Sequence, residues 1–203
     1  ISLNPKNLTI FSNPFENSQF ELVKLGALPN LTIAKGKSIT QKQVRLGNIK
    51  VVAGGIDYAY LHDTSNRPKD TITISASGAN AGFVNYWNEE IFASDCTTIN
   101  SDSKLDIKFI YYVLRFIQKD IYRLARGAAQ PHVYPKDIEQ IEIPLPPLEI
   151  QKQIVNECEK VEEQYNTIRM SIEEYQKLIK AILVKCGICE ADTAQSTNSV
   201  GGG

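Results

Sequence analysis

Methionine is nearly missing from this 203-residue chain: there is one, Met170, and the first residue is Ile1. The start is therefore expected to be processed, or the chain to be a piece of a longer polypeptide. Histidine is almost as scarce, with His62 and His132 alone. No carboxylate cluster accompanies either imidazole, so no metal ligand set is assigned, and His62-Asp63 is expected in a solvated loop. Four cysteines, no signal peptide and no long apolar run point to a reduced, soluble, cytoplasmic protein without a membrane segment. Cys186 and Cys189 form a C-x-x-C, but no second pair of ligands accompanies it for zinc. It also closes a helix, whereas a redox pair opens one after a strand. Cys158 and Cys186 are expected as apolar coil residues.

Strong net charge is lacking too. The formal −1 hides an asymmetry: residues 1–146 carry 16 basic and 14 acidic side chains, while 147–203 carry 6 and 9. Residues 1–50 hold seven lysines and arginines against two glutamates, so the positive field lies early. That suits a local anionic contact and excludes an overall polybasic binder. Catalytic constellations are absent as well. Ser12-Asn13-Pro14-Phe15 is one proline short of an adenine-methyltransferase motif and follows no glycine-rich cofactor loop. Gly78-Ala79-Asn80-Ala81-Gly82 lies between strands, whereas a phosphate cradle needs a glycine loop opening a helix. Nothing resembles an activated nucleophile, so no catalytic residue, no cofactor and no metal is assigned, and the chain is not expected to be an enzyme.

What is present organises into four segments. Residues 1–19 form an irregular lead-in, 20–146 a mixed α/β body, 147–188 a long helix and 189–203 a disordered tail. Strands are expected over 20–25, 48–52, 71–75, 83–87 and 91–99, with a polar basic loop around residues 33–38 and a turn at Arg67-Pro68-Lys69-Asp70. Asp106 caps a helix whose apolar face runs through Ile107, Ile110, Tyr111, Leu114, Ile117, Ile121 and Leu124 to Gly127. Residues 133–143 are expected to return to the sheet. Pro144, Pro146 and Pro147 then fix the entry of the last helix, because proline lacks a donor and holds its predecessor extended.

Several loops combine basic and amide side chains with glycines that permit close backbone approach. Lys35, Lys37, Ser38, Arg67 and Lys69 suit the phosphate backbone, while Asn80, Gln130 and Arg126 suit base edges. His132, after Gln130-Pro131, suits bracing the loop or touching DNA. The succession Leu22-Val23-Lys24-Leu25-Gly26, Ile74-Ser75-Ala76-Ser77-Gly78-Ala79-Asn80-Ala81-Gly82, Gly127-Ala128-Ala129-Gln130-Pro131-His132 and Ile143-Pro144-Leu145-Pro146-Pro147-Leu148-Glu149-Ile150-Gln151-Lys152-Gln153-Ile154 resembles a specificity subunit of type I restriction-modification systems. The resemblance covers about residues 20–187. It implies an α+β target recognition domain on a coiled-coil spacer helix, reading half of a split site on double-stranded DNA. It further implies a modification methyltransferase subunit bringing S-adenosylmethionine and a restriction subunit bringing ATP with magnesium. Such subunits hold two recognition domains and two spacers; this sequence holds one of each, as a natural half-subunit or a portion of a larger chain. The alternatives are the recognition region of a fused methyltransferase or restriction enzyme, and a coiled-coil scaffold.

The last helix carries a heptad seam: Ile154, Cys158, Val161, Tyr165, Ile168, Ile172, Tyr175, Ile179, Ile182 and Cys186. An antiparallel self-pair matches every seam residue, setting Cys158 against Ile182, Tyr165 against Tyr175, Ile168 against Ile172, Val161 against Ile179 and Ile154 against Cys186. It also sets Glu157 against Lys185, a pair worth tenths of a kcal/mol. At about 1.5 Å per residue the seam is roughly 50 Å long, on the order of 15 base-pair steps. A homodimer through this seam would hold two recognition domains apart at the ends of a ruler.

Overall fold

The computed structural model describes residues 14–102 and 106–185, with side chains up to Arg169 and at Glu174. Nine strands and four helices are described: β1 (Leu22–Lys24), β2 (Leu31–Lys35), β3 (Ile49–Val52), β4 (Tyr58–His62), β5 (Thr71–Ser75), β6 (Val84–Trp87), β7 (Ile91–Ala93), β8 (Cys96–Ser101), α1 (Ile107–Phe116), α2 (Gln118–Arg123), α3 (Pro135–Glu139), β9 (Glu142–Pro144) and α4 (Leu148–Lys185). The architecture is a mixture of sheet and helix, as the α+β expectation held.

The centre is β5. Its sequence Thr-Ile-Thr-Ile-Ser alternates two chemistries with the period of a pleated strand, so one face is isoleucine and the other hydroxyl. All five residues are buried, because β5 sits inside an antiparallel sheet of order β2-β8-β5-β6 with both faces covered. Ile72 pairs with Ile99 and Ile74 with Val84, and this apolar face packs under Phe109, Ile110 and Leu114 of α1. On the hydroxyl face, Trp87 Nε1 donates to Thr73 Oγ1 at 2.8 Å. Trp87 joins Val52, Ile91, Ala93 and Cys96 in a second apolar cluster that draws on β3 and β7 of a three-stranded sheet, order β4-β3-β7.

Five expectations change. Residues 91–99 are two strands: β7 runs parallel to β3 in one sheet, Ser94 N–H donates to Val52 O at 2.7 Å, and the chain crosses to the other sheet as β8. The helix after Asp106 breaks at Ile117, because the Gln118 side chain is drawn onto β6, accepting from Val84 N–H and donating to Gly82 O. Residues 133–143 hold α3, since Pro135 at the first helical position has no donor to give a ladder. Only β9 returns to sheet, pairing with β1, so that Val23 faces Ile143 and two motifs far apart in sequence form one ladder. Finally, His62 is buried at the end of β4: Arg45 N–H donates to its Nδ1 at 3.1 Å and Phe92 meets it edge-on. Residues 31–35, expected within or beside a loop, are β2, paired along their length with β8.

The proline entry to α4 has a local cause. The Pro147 carbonyl accepts from the N–H groups of Ile150 and Gln151. Gln151 is buried; its amide donates to Pro146 O at 2.9 Å and accepts from Asp106 N–H at 3.1 Å. The same Asp106 caps α1 through Lys108 and Phe109 N–H, so one glutamine ties the first turn of α4 to the cap of α1. The compact body ends at Asn156 and a second unit begins at Glu157, so the first turns of α4 belong to the body, past the boundary expected at 146. Residues 1–13, 103–105 and 186–203, which hold most of the expected lead-in, Cys186, Cys189 and the expected tail, lie outside the described residues.

Candidate nucleic-acid interface

Because β2 and β5 both run antiparallel to β8, they end at the same edge of the sheet, beside Cys96. The segment 35–38 leaves β2 there and the loop 77–82 leaves β5 there. Gly36 N–H donates to Cys96 O and Lys37 N–H to Ala93 O. Lys35, Lys37 and Ser38 are exposed. Gly78 and Gly82 take positive φ, +81° and +94°, which L side chains resist; Gly78 has open space around it, so its backbone geometry alone calls for glycine.

The hairpin 126–132 meets this loop. Arg126 and His132 exchange backbone hydrogen bonds of 2.9 and 2.8 Å, Gly78 N–H donates to Pro131 O at 3.0 Å, and Val133 N–H to Ala76 O at 2.9 Å. Asn80 and Gln130 are thereby carried on joined loops, Asn80 half-buried and Gln130 exposed. His132 stacks on the exposed Tyr134. A third segment, 53–57, closes on the same edge: Ser75 Oγ donates to Gly55 O, and a Cβ at Gly54 would lie 2.7 Å from Ser77 O.

Two expected contacts are engaged within the protein. Arg67 is half-buried, its Nε donating to Thr98 Oγ1 at 2.8 Å, Nη1 to Asn66 O at 2.8 Å and Nη2 to Lys35 O at 2.9 Å. Arg126 Nη2 meets Asp137 Oδ1 at 2.5 Å, pinning the hairpin to α3. The other Asp137 oxygen is buried without a hydrogen-bond partner among the described residues. Lys69 is exposed but precedes β5, at the strand end away from loop 77–82, roughly 17 Å along for five residues. It is not brought together with Asn80 and Gln130.

Ser77 and Asp95 fall outside the expected set and sit at the join. Ser77 Oγ donates to Asp95 Oδ2, and Asp95 O accepts from Ala76 N–H. No local pattern marks that pairing, which depends on β5 and β8 being neighbours. Lys50 is a second addition: its ammonium hydrogen-bonds Glu89 at 2.6 Å and lies over the Tyr58 and Trp87 rings. The bond to Glu89 holds its pKa above the ordinary 10.5 against the opposing effect of burial. The alternation of Tyr58, Tyr60 and His62 is the signal for β4. No cluster of three or more metal-ligating side chains occurs among the described residues.

Of the seam residues, Ile154 packs against the body's core and Cys158 is half-buried, its thiol pushed up first by burial and then by Glu162 and Glu157. Val161, Tyr165 and Ile168 are exposed, and Glu162 and Asn166 lie with the first two along a shallow groove. Ile172, Tyr175, Ile179 and Ile182 lie on α4 with side chains outside the described set.

Comparison with known proteins follows the same body. The family model for the type I restriction modification DNA specificity domain matches residues 17–178. The type I restriction enzyme MjaVIII specificity subunit of Methanocaldococcus jannaschii is 28% identical over 148 residues, 72% of this chain and 32% of that protein. The chain thus spans about a third of that curated relative's length. Among solved structures, the type I restriction-modification S subunit from M. genitalium superposes with a TM-score of 0.65 at 24% identity, covering 80% of this chain and 45% of that one. The HsdS subunit from Thermoanaerobacter tengcongensis gives 0.59 at 22% identity, covering 85% and 46%. At these identities the likeness is one of fold.

Proposed function

Because the chain belongs to the type I restriction-modification DNA specificity domain family, we propose that it reads one half of a bipartite DNA site and directs a partner adenine methyltransferase to it. Its part is recognition, without catalysis of its own. The observation that carries this reading is the joining of loop 77–82 to hairpin 126–132 through Gly78 and Pro131, beside the Lys35–Ser38 segment at one sheet edge. Amides able to pair with adenine and glycines able to approach a groove are thereby presented next to cations suited to phosphate. Asn80 and Gln130 reach base edges, Lys35, Lys37 and Ser38 hold the backbone, Arg126 and Arg67 shape the loops and add to the positive field, and His132 braces the hairpin. Lys69 is a separate phosphate contact.

The methyltransferase subunit would supply S-adenosylmethionine, and a restriction subunit would supply ATP-driven cleavage with magnesium. Such a complex works in the cytoplasm; no helix among the described residues is long and apolar enough to cross a membrane. The exposed Val161, Tyr165 and Ile168 support pairing of α4 with a second copy in an antiparallel coiled coil, and the site would then be an interrupted inverted repeat. Methylome sequencing with and without the intact gene tests the reading: one bipartite methylated motif should vanish. Gln130→Ala and Asn80→Ala should each relax preference at one position, costing on the order of 1–3 kcal/mol. Unchanged preference in both variants excludes these loops as the reading surface.

A further inference from the structure

Between β2 and β3 the chain runs through Lys35, Lys37, Lys42, Arg45 and Lys50 without one acidic residue. Near the end of this segment stands Leu46, whose side chain is 100% exposed. A lone exposed leucine is ordinary on a mobile loop, but this one is held on both sides. Arg45 Nε pairs with Asp63 at 2.8 Å while its N–H donates to His62 Nδ1 at 3.1 Å. Gly47 lies so close to the same pair that a Cβ there would sit 2.1 Å from His62 O and 2.4 Å from Asp63 Cα. His62 is itself buried against Phe92, so the anchor is part of the body. Upstream, Thr40 and Gln43 close a capping box over a short 3-10 turn that carries Lys42. The loop is thus pre-formed, and among its exposed polar and basic side chains stands one large apolar residue, Leu46.

We propose that residues 40–47 are a second DNA-contacting element in which Leu46 is an apolar wedge set into a groove between cations. The proposal rests on the DNA-reading role given above. Charge selects the partner: Arg45 and Lys50 are paired with Asp63 and Glu89, and the remaining cations of the segment, Lys35, Lys37 and Lys42, fit phosphates flanking base pairs, where Lys42 meets the backbone and Leu46 meets a thymine methyl or the face of an opened base step. A groove on a protein partner would have to be acidic around an apolar pocket to match it.

The test uses the full chain, with its methyltransferase partner present, and a duplex enriched from a random-sequence pool by the unaltered chain. Leu46→Ser should lower affinity for that duplex about tenfold, while Leu46→Met should bind as the unaltered chain does. Melting temperature should stay put in both, since Leu46 supports nothing in the body. Lys42→Ala should reduce the slope of log affinity against log salt by about one. Uracil in place of thymine at one position should weaken the unaltered chain and leave Leu46→Ser unaffected if the methyl is the target. A 2-aminopurine signal lost in Leu46→Ser would identify an opened step. Equal affinity of Leu46→Ser and the unaltered chain overturns the wedge and leaves the reading loops standing. Loss of the methyltransferase with DNA affinity kept assigns the loop to a protein surface and also overturns it. Failure of the unaltered chain to enrich any duplex removes both readings at once.

Discussion

Two helices of this chain carry apolar stripes, and they treat them oppositely. In α1 the stripe is covered: Ile110 and Leu114 are 0% exposed beneath the isoleucine face of the central sheet. In the second unit α4 leaves Val161 63%, Tyr165 66% and Ile168 60% exposed. The difference lies in the repeat. A stripe at the ordinary helical period widens until it fits a sheet, as in α1, whereas a heptad seam narrows to the width of one other helix. What covers α1 is encoded within the chain. What would cover α4, on the pairing proposed above, is a partner helix.

The strongest way to break the comparison is to attack the covered stripe. Leu114→Ala removes a fully buried side chain between α1 and β5 and should cost about 2–5 kcal/mol in urea unfolding. A loss under about 0.5 kcal/mol, the range of exposed sites, would mean that α1 is not mounted as described. The exposed stripe should answer in another measurement. Ile168→Asp with Ile172→Asp places charge in the seam and should abolish self-association in sedimentation equilibrium while the unfolding midpoint of the body stays constant. Retained self-association would exclude the seam as the pairing surface.

Covered structure was legible where its cause was local. Residues 71–75 were readable because threonine and isoleucine alternate, and Asp106 because a capping carboxylate stands before an apolar stripe. The glycines of loop 77–82 marked a turn for the same reason. Misreadings arose where a long-range partner decided the outcome. Gln118 belongs to a helical run by pattern, yet β6, more than 30 residues away, draws off its side chain and breaks the helix. His62 is polar and sits beside Asp63, which suggests solvent; Arg45 and Phe92 make it a core residue. Of the candidate site, Asn80, Gln130, Lys35, Lys37 and Ser38 were visible as residue types in glycine-bearing or basic loops. Arg67 looked the same and is committed inward, because Thr98 and the Lys35 carbonyl reach it only once β2 and β8 pair.

Gln151 offers a smaller effect at the point where body and helix share one chain segment. Gln151→Ala would leave Asp106 N–H and Pro146 O without their partner and should cost about 1–3 kcal/mol. Gln151→Glu tests the donor separately: it keeps an acceptor for Asp106 N–H and loses the bond to Pro146 O. Hydrogen exchange should accelerate at the start of both α1 and α4 in the alanine variant. Acceleration at α4 alone would uncouple Gln151 from the α1 cap.

Thiol chemistry gives the mildest probe of the same contrast. Cys96 is buried beside Val52 and Trp87, and burial pushes its thiol up to about 12. Cys158 is also raised, but it is only half-buried on α4. At pH 8, peptide mapping after iodoacetamide should find Cys158 modified while Cys96 stays protected until the body opens. The alkaline limb has a definite sign. Unfolded Cys96 ionises near its ordinary value of 9.0, while the folded thiol keeps its proton until about 12, so its contribution to stability is complete below 9 and falls as pH rises through that interval. Replacing Cys96 by alanine should remove this slope. If α4 pairs through its seam, alkylation of Cys158 should also slow as protein concentration rises, and the Ile168→Asp, Ile172→Asp variant should lose that dependence. A Cys158 rate independent of concentration in the unaltered chain would place Cys158 outside any paired surface.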